Sequence, residues 1–349
     1  SLLKFTKILR LNGAHNTLLW HKRVSKKIKK INPNSQILLD VPGVKARCRN
    51  KNELLIKKDD VVLFYFEKKP KISIKRCKNY IPLSCPLPQA KNNVKYFSVS
   101  DGKFKFRLTN KGKNFVVGTS VDTFNLKSNK GINIPHSIYD EKHQKKYYFN
   151  FLKECKNVKF DAIGMSFVQS SFIIKVIKKE YPNKIIVSKL ENLKGLKNLE
   201  EIINLSDVIM IDRGDLAAEI GDEHLFNAIK KISYETKKKG KSLIIATENL
   251  ESMKDNSFPT KSEIISLSFS KELEADNIML SDETATSSNW KKTVKWLVNF
   301  LKKDTTKNNL SSNGNFYFWK SINLIKNHLI IIFTKKGYAF DNINQIQNN

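Results

Sequence analysis

Of 349 residues, only four are cysteine, nine proline, thirteen glycine and four methionine. Cys48, Cys77, Cys85 and Cys155 lie far apart and in no C-x-x-C spacing. A zinc site or a disulfide framework is therefore not expected, and a reducing compartment is, either the cytoplasm or an organellar matrix. No apolar run is long enough to cross a bilayer. The segment SLLKFTKILRLNG has neither an uninterrupted apolar core nor an A-x-A-like cleavage site, so neither a signal peptide nor a membrane partner is expected. Acidic residues are also scarce, 33 against 63 basic ones, for a formal net charge of +30. An excess of that size points first to nucleic acid. Yet the lysines are spread along the whole chain among many Asn and Ile, a bias that an AT-rich genome produces, and no RNA-binding motif with interleaved aromatics stands out. RNA or ribosome association is kept as a second reading.

What is present is a globular composition, 40% hydrophobic and 10% aromatic, on a chain long enough for one large α/β domain and a smaller one. From about residue 157 to 300 apolar runs alternate with amphipathic stretches, the pattern of repeated βα units. IGMSF (163–167), KIIVSK (184–189), VIMI (208–211), SLIIAT (242–247) and NIMLS (277–281) read as strands. Residues 172–181, 196–205, 223–240 and 290–303 read as helices. KILRLN (7–12), a helix over 17–30 and QILLD (36–40) precede them. Residues 48–136 break this rhythm with short alternating stretches such as DVVLFYF (60–66), KISIK (71–75), KYFSVS (95–100), KFKFRLT (103–109) and NFVVGTSV (114–121), which predict an inserted β-rich domain. HLIIIFTKKGYAFDNI (328–343) predicts one further strand and a short helix.

Two runs carry chemistry. SKLEN (188–192) and MIDRGDLAAEI (210–220) each follow a short apolar strand, and each places charge just past its end: Lys189 and Glu191 in the first, Arg213, Gly214 and Asp215 in the second. In parallel β/α sheets such positions converge on one cleft. An ammonium, two carboxylates and a flexible glycine there suit a divalent metal and a phosphorylated substrate. Either run alone reads sooner as a buried strand capped by solvated charge; their repetition, and what surrounds them, favours a site. The histidines show no metal spacing: His21, His136, His143, His224 and His328 read as surface or packing residues, and Glu251 and Glu263 as barrel-rim salt-bridge formers.

Taken together, these motifs resemble the pyruvate kinase family. RLNGAHN (10–16), LLDVPGVKAR (38–47), VSDGK (99–103), NKGINIP (129–135), DAIGMSFVQS, SKLEN, MIDRGDLAAEI, ATENLESM, PTKSE and NIMLSDETA follow one another in the family's order. The resemblance implies an α/β fold: a TIM-type β/α barrel over 1–47 and 137–302 with its first strand missing or supplied differently, a β-rich lid inserted over 48–136, and a vestigial C-terminal domain remnant over 303–349. It implies a phosphotransferase moving a phosphoryl group between phosphoenolpyruvate, or a similar phosphorylated acid, and ADP or ATP with Mg2+ or Mn2+. The alternative is an inactive relative serving as a basic structural or RNA-associated subunit.

Carried over residue by residue, the resemblance implies that Lys189 offsets charge on the transferring phosphoryl, that Glu191 and Asp215 hold the metal, and that Gly214 and Asp215 offer backbone N–H groups to the substrate carboxylate. Thr247 falls beside the carbon that is protonated, Ser166 near the substrate phosphate, and Arg10 and Arg47 on arginines facing phosphates. His15, with Asn12, Arg47 and Lys130, falls on the nucleotide side, although a turn histidine is as often structural; Lys130 and Asp101 belong to the lid. Asn12 and Asp40 match monovalent-cation ligands, but the family's serine and threonine there are Ala14 and Val41, so the K+ site is weakened and Lys45 is a candidate replacement. Further departures are Glu248 and Asn249 in ATENL and Asp282 in SDET. A shortened C-terminal domain removes much of the family's tetramer interface, so that tetramer is not expected, whereas another homo-oligomer stays open.

Overall fold

The computed structural model describes residues 3, 5–89, 94–100, 102–302 and 328–333. Along the chain, β1 (Ile8–Asn12), α1 (Leu18–Ile31) and β2 (Gln36–Val41) come first. Eight strands follow: β3 (Leu54–Ile56), β4 (Val61–Phe66), β5 (Cys77–Leu83), β6 (Tyr96–Val99), β7 (Phe104–Gly112), β8 (Phe115–Ser120), β9 (Phe124–Leu126) and β10 (Ile132–Asn133). Then come α2 (Glu141–Glu154), β11 (Ala162–Met165), α3 (Ser171–Glu180), β12 (Ile185–Leu190), α4 (Leu193–Lys197), α5 (Leu199–Leu205), β13 (Val208–Asp212), α6 (Arg213–Ile220) and α7 (Asp222–Lys238). The last are β14 (Ser242–Ala246), α8 (Lys261–Glu272), β15 (Asn277–Leu280), α9 (Asp282–Ala285), α10 (Trp290–Lys302) and β16 (His328–Phe333). Strands β1, β16, β15 and β14 neighbour one another in that order, as do β13, β12 and β11; parallel strands alternating with helices in this way are the units of a TIM-type β/α barrel.

The chain divides into two units, one of Ser1–Leu39, Val158–Asp161 and Ser242–Asn349, the other of Asp40–Asn157 and Ala162–Lys241. In the first, β1 pairs in parallel with β16 (Ile8↔Ile330), and β16 with β15 (Asn277↔His328). The seam expected beside KILRLN is thus filled by a strand from the 303–349 segment, which the sequence alone assigned to a C-terminal remnant. Residues 303–327 and 334–349, including the short helix expected after that strand, lie outside the described residues. Helix α1 starts where the Thr17 side chain accepts from the Trp20 N–H, ends on Lys29 and Lys30, and buries the stripe His21, Val24, Ser25 and Ile28.

One device recurs at the strand starts. Asp161, Asp207 and Asp276 each immediately precede a strand, and each carboxylate accepts the backbone N–H of a neighbouring strand: Ile37 at 2.8 Å, Ile186 at 2.8 Å and Leu243 at 2.7 Å. The first two also bind a lysine from a helix, Lys29 at 2.8 Å and Lys178 at 2.8 Å. These carboxylates pin sheet register at the strand ends opposite those where side chains do chemistry in this topology.

In the second unit, β11, β12 and β13 pair in parallel. Residues 54–133 form a separate six-stranded sheet, β10-β6-β7-β8-β4-β5, and a ribbon, β3-β9. Phe64, Phe97 and Phe106 fill its core with ring centroids 5.1–5.6 Å apart. Gly118 leaves them room, since a Cβ there would meet the Phe97 ring at 2.5 Å. The strand expected at KISIK lies instead at β5, because the register of β5 on β4 puts Ile81 and Leu83 in the core while residues 71–76 stay half-buried or exposed. Helix α2, unforeseen from the sequence, is capped by Asp140.

Candidate active site

Strand β12 carries Lys189 into a ring of acids. Its Nζ lies 2.8 Å from Glu191 Oε1, 3.4 Å from Asp40 Oδ2 and 3.4 Å from Asp212 Oδ2, and it donates to Ser166 Oγ at 3.3 Å. The Ser166 hydroxyl donates in turn to Asp40 Oδ1 at 3.3 Å. Asp40 ends on β2, Ser166 follows β11 and Asp212 closes β13, so the group gathers at the carboxyl ends of the unit's parallel strands. Lys189 and Asp40 are both buried, and a buried charge persists only when paired.

Glu191 is fully buried and receives the Phe167 N–H on Oε2 at 2.5 Å. Phe167 sits at φ +57°, a conformation costly for a bulky residue, and α2 holds it there. Gln144 Nε2 donates to the carbonyls of Phe167 at 2.9 Å and Ser166 at 3.2 Å, and the Tyr148 hydroxyl donates to the Ser166 carbonyl. Burial pushes the Glu191 carboxyl up to about 8; Lys189 opposes that rise, and Asp212 and Asp215 add to it. Oxygens of Glu191, Asp212 and Asp215 lie within 4.8 Å of one another. Glu191 Oε1 ion-pairs with Lys189 but makes no hydrogen bond of good geometry. This all-oxygen, acid-rich donor set fits a hard divalent cation, which would favour the ionised form of Glu191.

Asp215 stands in the first turn of α6, beside Gly214, where helix N–H groups point outward. It ion-pairs with Lys45 and accepts from Asn133 Nδ2 at 3.3 Å. Lys45 is buried, with its Nζ 5.9 Å from the centre of the Phe167 ring. One turn further along α6, the fully buried Glu219 accepts from the Tyr139 hydroxyl at 3.0 Å, the Ser137 hydroxyl at 3.3 Å and Asn133 Nδ2 at 3.5 Å. Burial pushes its carboxyl up to about 8 against the opposing pull of Tyr139, Lys45 and Asn133.

The family model of the pyruvate kinase barrel domain matches residues 4–294. The chain belongs to the pyruvate kinase family. It is 30% identical over 290 residues to a pyruvate kinase of Thermococcus litoralis, covering 80% of this chain and 60% of the relative. To that of Encephalitozoon cuniculi it is 32% identical over 200 residues, covering 57% and 47%. A crystal structure of the Pyrobaculum aerophilum pyruvate kinase shares the fold, with a TM-score of 0.70 at 21% identity over 86% of this chain and 68% of that one. The chain spans about half to three fifths of the length of these two curated relatives. No helix among the described residues is long and apolar enough to cross a membrane.

Pyruvate kinases generally use Mg2+ and K+. Ala14 and Val41, which stand where the family has a serine and a threonine, offer no side-chain oxygen; in the first unit Asn12 Oδ1 accepts the Ala14 N–H at 3.1 Å, and in the second Asp40 holds Ser166 and Lys189. Lys45 is not an exposed lysine but the partner of Asp215. Arg47 donates from Nη1 to the Asn129 carbonyl at 3.1 Å, and the Lys130 carbonyl accepts the Cys48 N–H at 2.8 Å, so both frame the junction of the β-rich segment. Asp101 lies outside the described residues. In the first unit, Arg10 is buried on β1, the His15 carbonyl bonds the buried His21 ring at 2.9 Å, and Thr247 follows β14 at φ +62°. Among the described residues Glu263 forms no ion pair; it closes a capping box with Thr260 on α8 and accepts from Ser252.

Five residues of the cluster are not singled out by the sequence: Asp212, Asn133, Ser137, Tyr139 and Glu219. Only Asp212 carried a signal, an acid at the end of a strand beside the residues already singled out.

Proposed function

We propose that this chain is a pyruvate-kinase-type phosphotransferase, moving a phosphoryl group between phosphoenolpyruvate, or a similar phosphorylated acid, and ADP. One observation carries the reading: a buried lysine set among carboxylates that suit a divalent cation, at the carboxyl ends of parallel strands. Phosphoryl transfer asks for positioning and charge neutralisation rather than covalent chemistry by the protein. As the bond from phosphorus to the enol oxygen breaks and an ADP oxygen takes the phosphoryl, Lys189 neutralises charge on the phosphoryl and on the enolate left behind. The first-turn N–H groups of Gly214 and Asp215 orient the substrate carboxylate, and Ser166 faces the phosphate. Glu191 and Asp215 would hold the divalent cation, which would supply neutralisation of negative charge on the substrate. Arg10, Asn12, His15, Arg47, Lys130 and Thr247 enter this proposal by resemblance.

A coupled assay for ATP and pyruvate from phosphoenolpyruvate and ADP, with and without Mg2+, tests it. Magnesium-dependent turnover is expected, falling by about a hundredfold or more in Lys189→Met, since removing a group that stabilises transition-state charge costs that much. Absence of turnover in the folded chain would favour the second reading, a basic, catalytically silent relative, for which the +30 charge speaks. RNA affinity that falls steeply with salt would then be its signature.

A further inference from the structure

We infer that Asp212 is a third carboxylate ligand of the divalent cation. The inference rests on the metal reading of Glu191 and Asp215 and extends it to a residue outside that pair.

Asp212 occupies the N-cap position of α6, where an aspartate ordinarily turns back to accept a first-turn N–H. Here the side chain makes no cap hydrogen bond. It points instead at Lys189, 3.4 Å away, and a carboxylate oxygen comes within 4.8 Å of those of both Glu191 and Asp215. As a counter-ion it is surplus, because Lys189 already has Glu191 at 2.8 Å and Asp40 at 3.4 Å. Like charges this close repel, and a divalent cation relieves all three at once. Magnesium is usually held by one or two carboxylates together with substrate oxygens. A third carboxylate moves one coordination position from solvent or substrate onto the protein.

The test titrates the metal-free full chain with MnCl2, without substrate, following free Mn2+ by electron paramagnetic resonance. The unmutated chain is expected to bind one ion. Asp212→Ala and Asp212→Ser are expected to bind it at least tenfold more weakly, while Asp59→Asn, an exposed acid on the β-rich segment, leaves it unchanged. Two substitutions guard against one that fails to fold, and thermal melting checks both. Pulsed measurements counting water on bound Mn2+ separate ligation from nearby charge: a lost ligand leaves one more water on the ion. Unchanged affinity, or weaker binding with an unchanged water count, overturns the inference. If Asp215→Asn abolishes binding while the Asp212 variants do not weaken it, only the role of Asp212 falls. If Asp215→Asn binds like the unmutated chain, the metal reading falls with it.

Discussion

Glu219 offers a sharp test of how the candidate site is held. Its carboxyl is buried and accepts from Tyr139, Ser137 and Asn133, side chains that lead into and out of the β10 end of the sheet. Glu219→Ala strands the two hydroxyls in a dry site. Each buried group left unsatisfied costs about 1–3 kcal/mol, so a loss of roughly 2–6 kcal/mol is expected. Glu219→Gln keeps an acceptor for Tyr139 and leaves the Ser137 hydroxyl free to rotate and accept, so it should cost about 1 kcal/mol. The pH dependence is the stricter criterion. A glutamate ordinarily ionises near 4.5, and burial raises this one to about 8. Between those values the unfolded chain releases a proton that the folded chain keeps. The unfolded state then binds fewer protons, and stability must fall as pH rises. The contribution is fully present below pH 4.5 and is lost by about pH 8, with a slope approaching about 1.4 kcal/mol per pH unit. Lys45 and Asp215 are the charged groups facing the carboxyl, and both remain in Glu219→Gln. Urea unfolding of both proteins from pH 5 to pH 9 isolates the glutamate: the stability of the unmutated chain relative to Glu219→Gln should decline to about pH 8 and then level. A difference that stays flat across the range would refute the reasoning.

Asp207→Ala removes the acceptor for the Ile186 N–H and the partner of Lys178, and should cost about 2–3 kcal/mol in urea unfolding while leaving Mn2+ binding unchanged; a loss of metal affinity would contradict its structural role. If the chain turns over, it should do so without K+, because Ala14 and Val41 supply no side-chain oxygen where the family has a serine and a threonine, and Lys45→Met should lower the rate by removing the partner of Asp215; strong K+ activation of the unmutated protein would overturn this.

The barrel's repeated units were legible because apolar strands and amphipathic helices alternate at regular spacing. Helix α2 was not, and its chemistry explains why. Its buried face is Gln144, Tyr148 and Leu152, two of them polar, so no apolar stripe marks it. Gln144 and Tyr148 face inward to hold the carbonyls of Ser166 and Phe167. Strand β16 was read as a strand but not as a member of the barrel. Its sequence shows an apolar run, and only pairing with Ile8–Leu11 on one side and Asn277–Leu280 on the other assigns it a sheet.

Within the site, legibility followed distance along the chain. Lys189 and Glu191 sit two residues apart at the end of one strand, and Asp215 starts the helix after the next, so strand ends alone implied that they converge. Asp212 lies three residues from Asp215, yet an aspartate between a strand and a helix reads as an N-cap, and only the missing cap hydrogen bond shows that its carboxylate is turned elsewhere. Glu219 is harder still. On α6 it is one turn from Asp215, where a glutamate ordinarily faces solvent, and its partners Tyr139, Ser137 and Asn133 are 80, 82 and 86 residues away. Asn133 donates to both acids, at 3.3 Å to Asp215 and 3.5 Å to Glu219. The segment that closes the β-rich insertion is therefore tied to the same helix turn that presents Asp215. Moving that segment must disturb Asp215, a coupling that no local reading of either stretch contains.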